Sequence, residues 1–85
     1  MKLLYFARLR ELVGLAEEEV ALPAHVRDVA ALIAWLKARG PNYERALARP
    51  EWVRVAVNER YAAPSDPVRA QDEVALFPPV TGGSA

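Results

Sequence analysis

The feature that most constrains the fold is one amphipathic stretch, residues 26–39, in a chain whose other apolar segments are short. Its aliphatic residues recur at the i, i+3, i+4, i+7 spacing of a helix with one buried face, namely Val29, Leu32, Ile33 and Leu36. Gly40 and Pro41 follow, a pair typical of a helix end, because glycine forms the left-handed cap and proline cannot continue the helix. The pattern predicts one long helix over residues 26–39.

Short apolar segments on both sides of this stretch predict β-strands, because they are bounded by turn residues and are too short for buried helices. These segments are residues 2–7, 17–22, 52–57, 60–62, 68–70 and 73–77. Two further segments, residues 8–13 and 42–49, have the apolar spacing of short helices. Asn58 and Glu59 predict a tight turn before the short strand at residues 60–62.

This order of segments predicts an α+β fold. The first two strands form a hairpin in this prediction, and the first and last strands are neighbours because both are short and strongly apolar. A ubiquitin-like β-grasp, with a mixed sheet and one long helix packed on one face, satisfies the order economically. A chain of 85 residues supports a single core. We therefore predict a β-grasp domain over residues 1–77 and a flexible tail over residues 78–85.

Charge and composition argue against several classes of function. The chain carries 11 Lys and Arg against 11 Asp and Glu, whereas a nucleic-acid binder needs a basic excess to neutralise phosphates. No apolar run approaches the ~20 residues of a membrane span. The chain has no cysteine, and its one histidine, His25, has no partner with which to bind a metal. We predict a cytoplasmic protein with no metal site that binds neither nucleic acid nor membrane.

The C-terminal segment is the main candidate for function. It reads Phe77-Pro78-Pro79-Val80-Thr81-Gly82-Gly83-Ser84-Ala85. The two prolines lack an N–H group, so they end the last strand and favour a stiff, extended exit from the domain. The two glycines have no side chain, which lets the backbone enter a channel too narrow for a Cβ atom. The pattern predicts a tail that reaches into another protein, and a frayed terminus of small residues is the alternative.

Three aromatic residues, Phe6, Tyr61 and Phe77, lie near predicted strand ends. Each belongs either to the core or to an exposed docking patch beside the tail, and the sequence leaves both interpretations open. Arg10 either contacts a partner or is solvated. Glu17–Glu19 cannot converge on one metal ion, because successive strand residues point to opposite faces, so these carboxylates predict a solvated edge.

With these residues in view, the chain resembles the small subunits of molybdopterin synthase, which are sulfur carriers of the ubiquitin-like β-grasp class. The resemblance lies in residues 4–14, in residues 55–58 and above all in residues 72–83 with their Phe-Pro-Pro-Val segment. Thiamine-type sulfur carriers share the Gly-Gly end but usually lack this segment. The resemblance therefore covers nearly the whole chain.

The resemblance implies a carrier mechanism. The carboxylate of Gly83 would be adenylated by an E1-like activating enzyme that uses ATP and Mg, and then converted into a thiocarboxylate. The tail would next insert into the large subunit of the synthase, where its sulfur passes to cyclic pyranopterin monophosphate. The residues that would insert are Pro78, Pro79, Val80, Thr81 and Gly82.

The resemblance also implies how the domain meets its partners. The residues that would contact the large subunit and the activating enzyme are Phe6, Tyr61, Phe77 and Arg10. The synthase would be a heterotetramer of two small and two large subunits. The small subunit would have no permanently bound cofactor and no catalytic side chain of its own.

One departure concerns the end of the chain. In this family the chain normally stops at the second glycine, but here Ser84 and Ala85 follow Gly83. Gly83 has no free carboxyl group while they remain, so the chain is a precursor that is trimmed, a sequence artefact or a member that lost the carrier role. Other functions also stay open: a sulfur carrier for thiamine, cysteine or tRNA thiolation, a ubiquitin-like protein modifier, or an interaction domain with an inert tail.

Overall fold

The computed structural model describes residues 1–79, in which five strands form one mixed sheet beside three α-helices. The strands are β1 (Lys2–Tyr5), β2 (Glu17–Glu19), β3 (Arg54–Val57), β4 (Arg60–Tyr61) and β5 (Glu73–Phe77). The helices are α1 (Ala7–Val13), α2 (Val29–Lys37) and α3 (Pro41–Leu47), and a 3₁₀ turn, Pro50–Trp52, follows α3. The predictions made for Val80, Thr81, Gly82 and Gly83 lie outside the described residues.

The order of the strands in the sheet is β2-β1-β5-β3-β4. At its centre β1 and β5 run parallel, with Leu3 opposite Val74 and Tyr5 opposite Leu76. The remaining pairs, β1 with β2, β3 with β5 and β3 with β4, are antiparallel. The prediction that the first and last strands are neighbours is confirmed, and so is the hairpin of the first two strands.

The helices cover one face of the sheet. The strand residues that point to this face, Leu3, Tyr5, Val74 and Leu76, are at most 1% exposed and pack with the aliphatic side chains of α2. Each aliphatic side chain buried in this way contributes about 1.5–3 kcal/mol before the entropy of folding is subtracted. The alternating residues of β1 and β5 are only partly buried, and we call the face that they form the open face.

The prediction of one long helix over residues 26–39 is wrong in its bounds, because α2 begins only at Val29 and ends at Lys37. Asp28 is the N-cap of α2, and its carboxylate accepts a hydrogen bond from the Ala31 N–H at 2.8 Å. The residues before it are held elsewhere, since the Val68 N–H donates to the Arg27 carbonyl. Gly40 does not cap α2 but precedes Pro41, the first residue of α3, where the fixed φ of proline suits a helix start.

Several predicted elements also have different bounds. The strand predicted at residues 68–70 does not form. The Val68 N–H instead donates to the Arg27 carbonyl in the loop before α2, and the neighbouring Pro67 makes an isolated bridge with Asp28. The strand predicted from residue 52 begins at Arg54, since the 3₁₀ turn occupies the residues before it. The short helices predicted at 8–13 and 42–49 are confirmed as α1 and α3.

The acidic strand β2 is solvated at two of its three positions only. Glu18 faces the helices. Its Oε2 accepts hydrogen bonds from the Tyr5 and Tyr43 hydroxyls, both at 2.7 Å, and forms an ion pair with the Arg39 guanidinium at 3.2 Å. Burial alone would raise the pKa of Glu18, but the two phenols and the guanidinium outweigh it and lower that pKa. Burial, and then the Glu18 carboxylate, raise the pKa values of Tyr5 and Tyr43.

The predicted turn at Asn58 and Glu59 is confirmed, and both residues have positive φ, 51° and 69°. Asn58 fixes this turn to the start of β5, because its amide donates to Asp72 at 2.9 Å and its carbonyl oxygen accepts from the Glu73 N–H at 3.0 Å. The turn returns the chain as β4, so that Tyr61 lies opposite Ala56 on the open face. This register places Tyr61 in line with Ala75, two residues before the end of β5.

Candidate functional site

The candidate site is the corner of the sheet where β5 ends and the C-terminal segment begins. The last strand ends at Phe77, as predicted, and Pro78 and Pro79 follow it as half-buried residues. Neither proline can donate a hydrogen bond to a neighbouring strand, so the ladder stops where the imide nitrogens begin. The chain therefore leaves the domain from the end of a central strand rather than from a loose edge.

Tyr61 and Phe77 form an aromatic pair at this corner. Their ring centroids are 5.9 Å apart with an interplanar angle of 38°, and Tyr61 is 83% exposed. Together with Arg54 they line a shallow cavity of about 390 Å³. A tyrosine with so much of its surface in water contributes little to the core, so the interpretation of Tyr61 as a core residue is wrong.

Phe6 lies at the same corner. Its backbone continues β1 in an extended conformation, and its N–H donates to the Leu76 carbonyl at 3.1 Å. Since Tyr5 is opposite Leu76, the next residues in register are Phe6 and Phe77, and both belong to the open face. Phe6 is 48% exposed and is not a core residue. We call Phe6, Tyr61 and Phe77 the aromatic patch.

Arg10 is not brought to the aromatic patch by any contact among residues 1–79. It lies in the last turn of α1, and its side chain is exposed. Its backbone carbonyl accepts the hydrogen bond of the Gly14 N–H at 2.8 Å, which closes the helix. A role for the Arg10 side chain in binding a partner therefore stays a prediction.

A second cavity beside Pro78 was not predicted from the sequence. It has a volume of about 370 Å³, and we call it the arginine pocket. Its lining includes Arg8, Leu9, Arg45, Arg49, Trp52 and Pro78. Arg45 lies in α3 and Arg49 in the extended segment after it, so the four-residue spacing of these two arginines is not that of one helix face. Nothing in the sequence relates either of them to Arg8 or to Pro78.

Neither a metal site nor a membrane-spanning helix, two other kinds of functional feature, is found among residues 1–79. Within residues 1–79 no group of three or more His, Cys, Asp and Glu side chains lies close enough to hold a metal ion. His25, in the loop before α2, is exposed. No helix in this part of the protein is long and apolar enough to cross a membrane.

Similarity to known proteins extends over nearly the whole chain. The family model described as the ThiS family matches residues 3–83. The molybdopterin synthase sulfur carrier subunit of Escherichia coli is 41% identical, over 98% of this chain and 99% of that protein.

Two solved structures have a similar fold. A putative molybdopterin converting factor, subunit 1, from Pyrococcus furiosus has a TM-score of 0.75 at 36% identity, over 93% of this chain and 95% of that chain. SAMP1 from Haloferax volcanii has a TM-score of 0.73 at 28% identity, over 98% of both chains. The similarity therefore extends over the described domain in both sequence and structure.

Proposed function

From its similarity to a known sulfur carrier subunit we propose that this chain, which belongs to the ThiS family, is the sulfur carrier subunit of a molybdopterin synthase, acting in molybdenum cofactor biosynthesis. The observation that carries the proposal is the similarity to the E. coli sulfur carrier subunit, which runs from end to end of both chains. It includes the domain and the C-terminal segment, so it is not a likeness of fold alone.

The chemistry that we propose takes place at Gly83. A carboxylate is a poor electrophile, so an E1-like partner would first join it to the α-phosphate of ATP, with Mg bound to the nucleotide and pyrophosphate released. Hydrosulfide from a sulfur source would then attack the acyl carbon and displace AMP, which leaves a thiocarboxylate. Sulfur transfer to cyclic pyranopterin monophosphate would follow in the large subunit.

The domain organisation that we propose is a rigid domain over residues 1–77 and a flexible tail over residues 78–85. Support comes from the root of the tail, where Phe77 is the last paired residue and two prolines follow. A stiff root lowers the conformational entropy that is lost when the tail enters a partner. Gly82 at the position before the reactive residue leaves that part of the tail without a side chain.

We propose that the aromatic patch docks both partners in turn. Phe6 and Tyr61 are exposed, Phe77 is next to Phe6 in register and its ring centroid lies 5.9 Å from that of Tyr61, and the tail leaves from the residue after Phe77. Exposed aromatic residues that cluster around one point are typical of the energetic centre of an interface. Arg10 would contribute at the rim. The complex with the large subunit would be a heterotetramer, and activation would occur in the cytoplasm, where ATP is available.

This function requires that Ser84 and Ala85 be removed, because an acyl adenylate forms only on a free carboxyl group. The simplest route is hydrolysis of the peptide bond between Gly83 and Ser84 by a protease. The first measurement is therefore the intact mass of the protein from its source, isolated under conditions that protect thioacids. We expect a species that ends at Gly83, part of it heavier by one oxygen-to-sulfur exchange.

A reconstituted reaction tests the chemistry directly. The form that ends at Gly83 should gain one sulfur when it is incubated with an activating enzyme, ATP, Mg and a sulfur source, and the 85-residue chain should not. A matched control that ends at Thr81 keeps the whole domain but lacks both glycines, and it should stay unmodified. Lysine-linked adducts in place of a thiocarboxylate would show a protein modifier, and co-purification with a thiamine or tRNA enzyme would show a carrier for another pathway.

A further inference from the structure

The arginine pocket has the composition of a ligand site, and the proposed function does not use it. We propose that it binds the phosphomonoester group of a small molecule that carries a planar ring, the class to which nucleoside monophosphates belong. The ligand would lie beside the root of the tail, since Pro78 is part of the lining. The site would be additional to the aromatic patch, because the cavity at Tyr61 and Phe77 shares no lining residue with it.

The first argument is the concentration of positive charge. Arg8, Arg45 and Arg49 line one cavity in a chain whose formal net charge is zero, and no acidic side chain is among the lining residues. Among residues 1–79, Arg8 and Arg45 form no ion pair, and Arg49 has only a 3.8 Å contact with Glu51 in which both side chains are exposed. Three cations held around one cavity repel each other unless an anion neutralises them.

The second argument is the match between guanidinium groups and phosphate. Each guanidinium presents a planar fork of N–H donors that pairs with two oxygens of a phosphate. A phosphomonoester has three terminal oxygens and a charge near −2 at neutral pH, so one group can satisfy several arginines where one carboxylate cannot. The three arginines come from separate parts of the chain, namely α1, α3 and the segment after α3.

The third argument is the apolar part of the lining. Leu9 and Ala46 are buried beneath the arginines, and Trp52 is 49% exposed beside them. An exposed indole offers a flat surface on which a planar ring such as a nucleic-acid base stacks. The volume of about 370 Å³ is at the lower end of the range for small-molecule pockets. Phosphate recognition and ring stacking are therefore available side by side.

Fluorescence of Trp52 tests the proposal in the full chain. The protein has two tryptophans, so Trp35→Phe leaves Trp52 as the only reporter. We expect AMP to change its emission and to bind at least about tenfold more tightly than inorganic phosphate or adenosine, since each of these supplies only half of the contacts. Calorimetry on the unsubstituted protein checks that Trp35→Phe did not create the site. Equal affinities for AMP and adenosine, or for AMP and inorganic phosphate, would overturn the proposal.

Substitutions separate the pocket from general surface charge. Arg45→Gln should weaken AMP binding by about fivefold or more, and Arg69→Gln, which removes an exposed arginine outside the pocket, should leave it unchanged. Trp52→Leu should weaken the binding of AMP but not of inorganic phosphate. Equal losses in Arg45→Gln and Arg69→Gln would mean that the nucleotide responds only to net charge, and the site would be rejected. These measurements need neither trimming nor sulfur transfer, so they stand or fall independently of the proposed function.

Discussion

Tyr5 and Phe6 are neighbours in the chain, and they belong to two aromatic clusters with opposite properties. Tyr5 is 1% exposed and, with Tyr43, donates a hydrogen bond to Glu18 inside the domain. Phe6 is 48% exposed and lies with Tyr61 and Phe77 at the open corner. The first cluster is fully partnered within the chain, whereas the second leaves apolar surface in water. We infer that the buried cluster stabilises the fold and that the aromatic patch serves binding.

The largest expected effect on stability comes from the buried cluster. Glu18→Ala removes the acceptor of two phenols and the partner of Arg39, so we expect the free energy of unfolding to fall by about 2–4 kcal/mol. Binding to the large subunit should be unchanged under conditions where the variant is folded. Urea denaturation measures the first quantity and calorimetry the second. Glu17→Ala, an exposed neighbour on β2, is the control and should cost less than about 0.5 kcal/mol.

The aromatic patch should give the reverse result. Tyr61→Ala should weaken binding of the large subunit about thirtyfold, or ~2 kcal/mol, because an exposed aromatic residue at the centre of an interface is typical of a hot spot. The free energy of unfolding should change by less than about 0.5 kcal/mol, since the side chain is almost wholly in water. Leu15→Ala removes an exposed apolar side chain elsewhere and should not affect binding. Equal losses in both variants would remove the distinction between the patch and the general surface.

The sequence predicted the sheet better than it predicted these two clusters. The apolar strands at both ends of the chain indicated a shared centre, and the structure pairs them residue for residue. The start of α2 was placed too early because the segment before Asp28 is held by Val68, which lies some forty residues away in the chain.

Exposure was harder to predict than strand position, because an aromatic residue at a strand end can point to either face. Only the register of β1 and β5 shows that Tyr5 is inside and Phe6 outside. The arginine pocket had no overall signal in the sequence, since Arg8, Arg45 and Pro78 meet only through the packing of α1, α3 and the end of β5. Sites built by long-range packing are therefore the part that sequence patterns leave open.

A smaller effect should appear when pH changes the charge of the buried cluster. The pKa of Glu18 is lower in the folded protein, so its contribution to stability is complete above the ordinary pKa of glutamate and is lost as pH falls through the lowered value. The pKa of Tyr5 is raised, so stability should also fall as pH rises above the ordinary pKa of tyrosine. Urea denaturation across the pH range measures the loss of stability at both acid and alkaline pH. In Tyr5→Phe the loss of stability at alkaline pH should be smaller, and an unchanged loss would contradict the attribution of this loss to Tyr5.

The smallest expected effect concerns the turn that carries Tyr61 to the patch. Glu59 has a φ of 69°, a conformation that strains a residue with a Cβ atom, and its side chain is exposed. Glu59→Gly should raise the free energy of unfolding by about 0.5–1 kcal/mol, because relief of the strain outweighs the extra entropy of glycine in the unfolded chain. Binding of the large subunit should not change, since neither cluster loses a contact. A gain in affinity would instead show that the strained turn holds Tyr61 away from its bound position, and stability and binding would then not be separable at this corner.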